Sequence, residues 1–139
     1  MNYWLLKTEA ETFSWEQQKK KGAKGEPWSG VRNFQAASNM KKMKKGDRGF
    51  FYHTGDEKRI VGIVEVIGEY RPDPTDETGK FGLVVVKAVA DVPKPVTLAA
   101  AKADPKLEDM VLVNNTRLSV QPVTPEEWKH ICKLGGVKL

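Results

Sequence analysis

The sequence predicts an α+β domain, mostly β, with five to six strands curled into a partly closed barrel and short helices around it. Three observations carry this expectation. Residues 48–55 (RGFFYHTG), 59–70 (RIVGIVEVIGEY) and 81–92 (FGLVVVKAVADV) are apolar, β-branched runs separated by turn formers. The second run is almost wholly apolar, with Glu65 and Glu69 intruding, so it is covered on both faces or belongs to a barrel. Gly62 and Gly68 lie inside it and would let it bend. A chain of 139 residues, 40% hydrophobic, suits one core, and a single domain over 1–139 is expected.

The elements follow in order. YWLLK (3–7) is a short aromatic and aliphatic strand. FSWEQQKK (13–20) suits a short helix with Thr12 or Ser14 near its cap, and a lysine-rich loop follows. Asn33 can cap a helix from Phe34 to about Lys45, with Phe34, Ala37, Met40 and Met43 as its buried stripe. Lys41, Lys42, Lys44 and Lys45 would offset the dipole of its last turn, and Gly46 would end it. GDEK (55–58) turns the chain between the next two strands, and RPDPTDETGK (71–80) is a rigid loop of prolines and turn formers. Residues 95–109 hold short helical pieces, and RLSVQPV (117–123) is a strand ended by Pro122. In TPEEWKHICKL (124–134) Thr124 caps a helix, Pro125 takes its first position and Glu127 completes a capping box. Trp128, Ile131 and Cys132 form its buried stripe.

The net charge of +5 is unevenly spread: residues 1–48 hold 11 Lys/Arg against 5 Asp/Glu. Such asymmetry fits a polyanion partner, most simply nucleic acid, although lysines also keep small proteins soluble. No run approaches the roughly 18 apolar residues of a membrane helix, and the start is charged too early for a secretory signal. One cysteine allows no internal disulfide, which makes the cytoplasm the simplest compartment. His53, His130 and Cys132 are too few and too scattered for zinc, and neither phosphate-loop glycines nor a nucleophile elbow occurs. The expectation is a non-enzyme, a monomer, without metal or cofactor.

WSGVRNFQA (28–36) stands apart from the periodic segments. Trp28 in a loop either plugs the core or gives a base a stacking platform. Arg32 and Asn33 open the helix, where free N–H groups suit a phosphate, though Asn33 can equally be a plain cap. Tyr52 and His53 end a strand before a turn, within reach of a rim pocket or of a structural hydrogen bond.

Taken in order, YWLLKTEAETFSW, WSGVRNFQA, MKKGDRGFFYHTG, IVGIVEV, RPDPT and LSVQPVTPEEW resemble the EVE domain family over nearly the whole chain. The combination of VRN, FFYH and PDPT in that order makes the resemblance specific. It implies the PUA-like superfold, shared with ASCH domains and the YTH readers of methylated adenine. It also implies a pocket for a single base, often modified, flipped from DNA or RNA, in a binding module.

Carried over by position, the resemblance puts Lys7 and Thr8 near the pocket and makes Trp28 its aromatic wall. Arg32 and Asn33 open the long helix, with Asn33 toward a base edge. Tyr52 and His53 stand at the pocket's other side, and Asp73 lies in a loop that helps close it. Phosphate contacts would come from Lys7, Arg32, Lys41 and Lys42. The chain departs from the family pattern at Ala10, where proline is favoured. It departs again at Ala37 and Ser38, where arginine and asparagine are common, and at Arg71, where an aromatic is common. Two other functions fit the same residues: an RNA-binding accessory module without modified-base selectivity, and an enzyme acting on nucleotides or nucleic acid.

Overall fold

The computed structural model describes residues 1–138. Its centre is a six-stranded mixed sheet of β1 (Tyr3–Thr8), β2 (Glu26–Pro27), β3 (Arg48–His53), β4 (Arg59–Pro72), β5 (Gly82–Thr97) and β6 (Val120–Val123). In space the order is β2-β5-β4-β3-β1-β6, with β1 parallel to β3 and the other pairings antiparallel. The ends β2 and β6 do not pair with each other, so the expected barrel is not closed by strand pairing. Both ends carry a proline, Pro27 and Pro122, which has no N–H to extend a ladder and suits an edge. Pro122 does not end β6, which runs on to Val123.

The sheet separates two apolar layers, and the period-2 alternation of its strands decides which residue enters which. Trp4, Leu6, Phe51, Val61, Val64 and Val66 face one layer, while Leu5, Phe50, Tyr52, Ile60 and Ile63 face the other. This explains why β4 carries no polar residue from Ile60 to Val64. Glu65, half-buried, pairs with Arg48 and Lys87 on the neighbouring strands. The long β4–β5 ladder shifts register at four places, which supplies the curvature read from the glycines. Gly62 has a second reason to lack a side chain: a Cβ there would run into the Trp15 indole.

The first layer is covered by α1 (Trp15–Lys20) and α2 (Phe34–Lys41). Ser14 caps α1, its hydroxyl accepting the Gln17 N–H while the Gln17 side chain returns the bond. Asn33 caps α2 as expected, but α2 ends at Lys41 and not near Lys45. Of its lysines only Lys41 falls in the last turn. Residues 43–47 form a turn stapled by Asp47, whose buried carboxylate accepts the N–H groups of Lys44, Asn2 and the Trp4 indole. Gly46 serves this turn, at φ +93°. Phe34 is not in the buried stripe; it is exposed and packs on Phe81 with ring centroids 4.8 Å apart, while Ala36 takes its place inside.

The second layer is covered by α3 (Leu98–Ala103), α4 (Val111–Asn114) and α5 (Pro125–Leu134). The Thr124 capping box is present, and Trp128 stacks on Tyr3 and Phe50 at 4.5 and 4.0 Å. Two short elements, β2 and α4, have no sequence signal of their own. β5 runs five residues past its expected end at Val92, because Pro93 and Pro95 fall where its pairing to β4 skips from Asp91 to Val96 and no ladder donor is required.

Candidate functional site

A cleft of about 400 Å³ opens between the end of β1 and the loop that joins β2 to α2. Lys7, Thr8, Thr12 and Phe13 line one side, residues 26–32 the other, with Ser119 between. The Lys7 N–H donates to the Ser119 carbonyl at 2.9 Å, and the Trp28 N–H donates to Val84 of β5 at 2.7 Å, which fixes both rims to the sheet.

Trp28 is 7% exposed and meets Phe13 and Phe51 edge to face, at 6.3 and 5.7 Å. It is therefore both core plug and cleft lining, so the two readings of this residue are not exclusive. The loop after it is held by Asp73, whose side chain is fully buried. The Asp73 carboxylate accepts the Gly30 N–H at 2.9 Å, the Arg32 guanidinium at 3.1 Å, and the Thr75 N–H and hydroxyl at 2.8 and 2.6 Å. Burial would raise its carboxyl, but the donors from Thr75, Gly30 and Arg32 outweigh burial and hold it well below the usual carboxylate range. Gly30 has φ +82°, a left-handed conformation that turns its N–H toward Asp73 without Cβ strain.

The residues expected at the site divide. Lys7, Thr8, Trp28 and Arg32 line the cleft together, and Asp73 supports it from behind. Arg32 also donates to the Thr75 hydroxyl and the Val31 carbonyl and lies over the Phe81 ring, so its charge is largely engaged in holding the loop. Asn33 sits next to the lining residues and is exposed; its Oδ1 accepts the Ala36 N–H at 2.9 Å, which leaves its amide Nδ2 available as a donor.

Tyr52 and His53 do not line this cleft. Strand alternation sends Tyr52 to the opposite layer, where it is 2% exposed and its ring lies 5.3 Å from the Lys7 ammonium. Burial raises its phenol. His53 is buried and structural: its Nε2 accepts the Trp15 N–H at 3.0 Å and its Nδ1 meets Glu57 at 2.9 Å. Lys41 lies over the Tyr70 ring, and Lys42 lines a separate groove with Tyr3 and Pro122; neither reaches the cleft. Phe13, Ser29 and Ser119 line it without having been singled out in the sequence. Each lies in a stretch that carries the family resemblance, Phe13 in YWLLKTEAETFSW, Ser29 in WSGVRNFQA and Ser119 in LSVQPVTPEEW, with no signal of its own.

Among the described residues no group of three or more His, Cys, Asp or Glu is placed to hold a metal ion. Burial pushes the Cys132 thiol up to about 11, which makes it a poor nucleophile at neutral pH. What the cleft offers chemically is an aromatic edge, hydroxyls on its rim and two cations, Arg32, which is paired with Asp73, and Lys7, whose ammonium burial lowers to about 8.

Residues 2–134 match the EVE domain family. A solved structure of a protein from Agrobacterium tumefaciens is 54% identical, superposes with a TM-score of 0.96, and shares 99% of this chain and 94% of its own. Human THYN1, solved in complex with DNA containing 5-methylcytosine, is 30% identical with a TM-score of 0.92, covering both chains completely. Thymocyte nuclear protein 1 of Gallus gallus is 34% identical over 95% of this chain and 68% of its own length. A YTH domain from Zygosaccharomyces rouxii, at 20% identity and a TM-score of 0.59 over 96% of this chain and 86% of its own, shares the fold alone. The fold is thus the PUA-like one, with its sheet left open.

Proposed function

The chain belongs to the EVE domain family, and from that premise we propose that it is a binding module for nucleic acid bearing a modified base, which it takes, flipped from its stack, into the Trp28 cleft. The observation that supports this most is the likeness to the solved chain of human THYN1, which was solved with 5-methylcytosine DNA. The cleft suits such a ligand. Trp28 and Phe13 offer apolar surface to a ring, while Thr8, Ser29 and Ser119 offer hydroxyls and Asn33 an amide to its polar edge. Asp73 presets the loop before the ligand arrives, so little ordering remains to be done on binding.

The magnitudes set limits on this reading. Stacking on an aromatic gives roughly 1–3 kcal/mol, and unstacking a base costs a few. The aromatic surface therefore about cancels the flip, and net affinity comes from edge hydrogen bonds and phosphate contacts. A buried methyl adds about 0.8 kcal/mol, which is several-fold in preference.

The test is titration of matched DNA and RNA oligonucleotides, plain or carrying methylated or hydroxymethylated cytosine or methylated adenine, at two salt concentrations. Because Trp28 is part of the core, its removal confounds binding with folding. Ser29→Trp is the cleaner variant, since Ser29 is exposed and a large side chain there fills the cleft. The expected result is a preference for one modified base that survives high salt and disappears in Ser29→Trp. Unchanged preference in a folded Ser29→Trp protein would overturn the assignment of the cleft.

A further inference from the structure

Beside the base cleft lies a second concavity of about 250 Å³, lined by Lys7, Tyr52, Thr54, Gly55, Lys58, Leu98, Lys102 and Thr116. Three lysines converge on it from three parts of the chain: the end of β1, the turn before β4, and α3. Among the described residues none of the three forms an ion pair with a carboxylate. Lys7 belongs to both cavities. Its ammonium donates to the Thr116 carbonyl and stands over the Tyr52 ring, so the two cavities meet at one cation.

Lys58 carries an independent sign. It is the one non-glycine among the described residues with a left-handed backbone, at φ +45°. That conformation is strained for a side-chain-bearing residue, and glycine would avoid the strain. Its carbonyl accepts the Leu98 N–H at 2.8 Å, which ties the strained turn to the start of α3 and so brings Lys58 and Lys102 to the same hollow. Strain held in place at a cationic residue in a cavity is the pattern of a position kept for its side chain.

We propose that this second cavity is a phosphate-binding site, in which Lys58, Lys102 and Lys7 hold the phosphodiester that flanks the base in the Trp28 cleft. The proposal rests on the nucleic-acid reading above and replaces Lys41 and Lys42 as the source of backbone contacts. The surface also gives the strand a direction. Past Gly55 lies a groove lined by Glu9, Glu11, Asp56 and Glu57, which repels a polyanion. The backbone therefore leaves the Lys7 junction toward Lys102 and Thr116.

The experiment compares wild type, Lys58→Ala/Lys102→Ala and Ser29→Trp in titrations with plain and modified oligonucleotides from 50 to 200 mM salt. Each lost phosphate contact lowers the slope of log K against log salt by about 1, so the double variant is expected to lose about 2 from it. Its affinity falls roughly equally for plain and modified strands, and its base preference stays. Lys58→Gly, which relaxes the backbone, is expected to melt higher than wild type yet bind more weakly. If wild type binds and the double variant keeps both affinity and slope, the phosphate site is wrong while the base cleft stands. If wild type binds no oligonucleotide, the function proposed above and this site fail together.

Discussion

Asp73→Asn is the perturbation that separates a scaffolded loop from a merely packed one. The carboxylate is fully buried and takes four donors, two of them backbone N–H groups. The amide keeps the volume, removes the charge and turns two hydrogens toward groups that also donate. A hydrogen bond to a charged acceptor contributes about 1.5–3 kcal/mol, but the loss is not four such terms. Gly30 and Thr75 lie in exposed loops where water can replace the acceptor, and Arg32 is 39% exposed, which screens the ion pair. About 2–3 kcal/mol is left, or roughly 6–10 °C in melting temperature for a chain of this size. The pH dependence is the sharper readout. A carboxyl held below its unfolded value stabilises the native state fully above that value, about 3.9, and loses its effect as pH falls through the lower folded value. The gap between wild type and Asp73→Asn should stay flat from pH 7 to about 5 and shrink only below about 4. Thermal melts across that range decide the matter. A gap under about 2 °C at pH 7, or one that closes between pH 6 and 5, would refute the role given to Asp73.

Two further outcomes follow from the geometry. Burial lowers the Lys7 ammonium to about 8, so oligonucleotide affinity should fall between pH 7 and 9 in wild type and stay flat over that range in Lys7→Met. The same shift makes the native state hold fewer protons than the unfolded chain between about 8 and 10.4, so Lys7 contributes a stability that rises with pH across that window, measurable by denaturant titration. Gly62→Ala should destabilise by about 1–3 kcal/mol, because the Trp15 indole must move and its hydrogen bond to Asp91 at 2.7 Å goes with it. An unchanged denaturation midpoint would show that the indole has room elsewhere.

Local rules reached some parts of this fold and not others. The caps at Asn33 and Thr124 are short-range chemistry and could be read directly, and the first helix's cap, left between Thr12 and Ser14, is Ser14. So could the doubly buried first half of β4, because its composition shows it. The end of α2 was hidden because the lysines that suggest a longer helix are equally at home in the Asp47 turn, which depends on Asn2 and Trp4, more than 40 residues away. At the site, Trp28 and Arg32 were visible as a cluster, but the bonds that Gly30 and Arg32 of the same stretch make to Asp73 span more than 40 positions and need the fold. Tyr52 and His53 show the opposite failure. They are adjacent in sequence, yet a strand sends them to different faces, and no motif says which face holds the cleft.

The division of labour inside the cleft bears on how selectivity arises. Trp28 has little free surface, Arg32 is engaged by Asp73, and Asn33 has spent its carbonyl oxygen on the helix cap. Trp28 and Arg32 are thus largely committed to shape, and Asn33 keeps only its amide N–H groups for a ligand. On the proposal above, grip comes from groups with no structural duty, and Lys58 and Lys102 at the second cavity are such groups. Fixed shape discriminates between bases without much energy, and mobile cations hold the strand without reading it. On the proposed reading the module holds the strand by its phosphates and chooses the base through its cleft, so the two properties should separate in mutants that touch one cavity and leave the other intact.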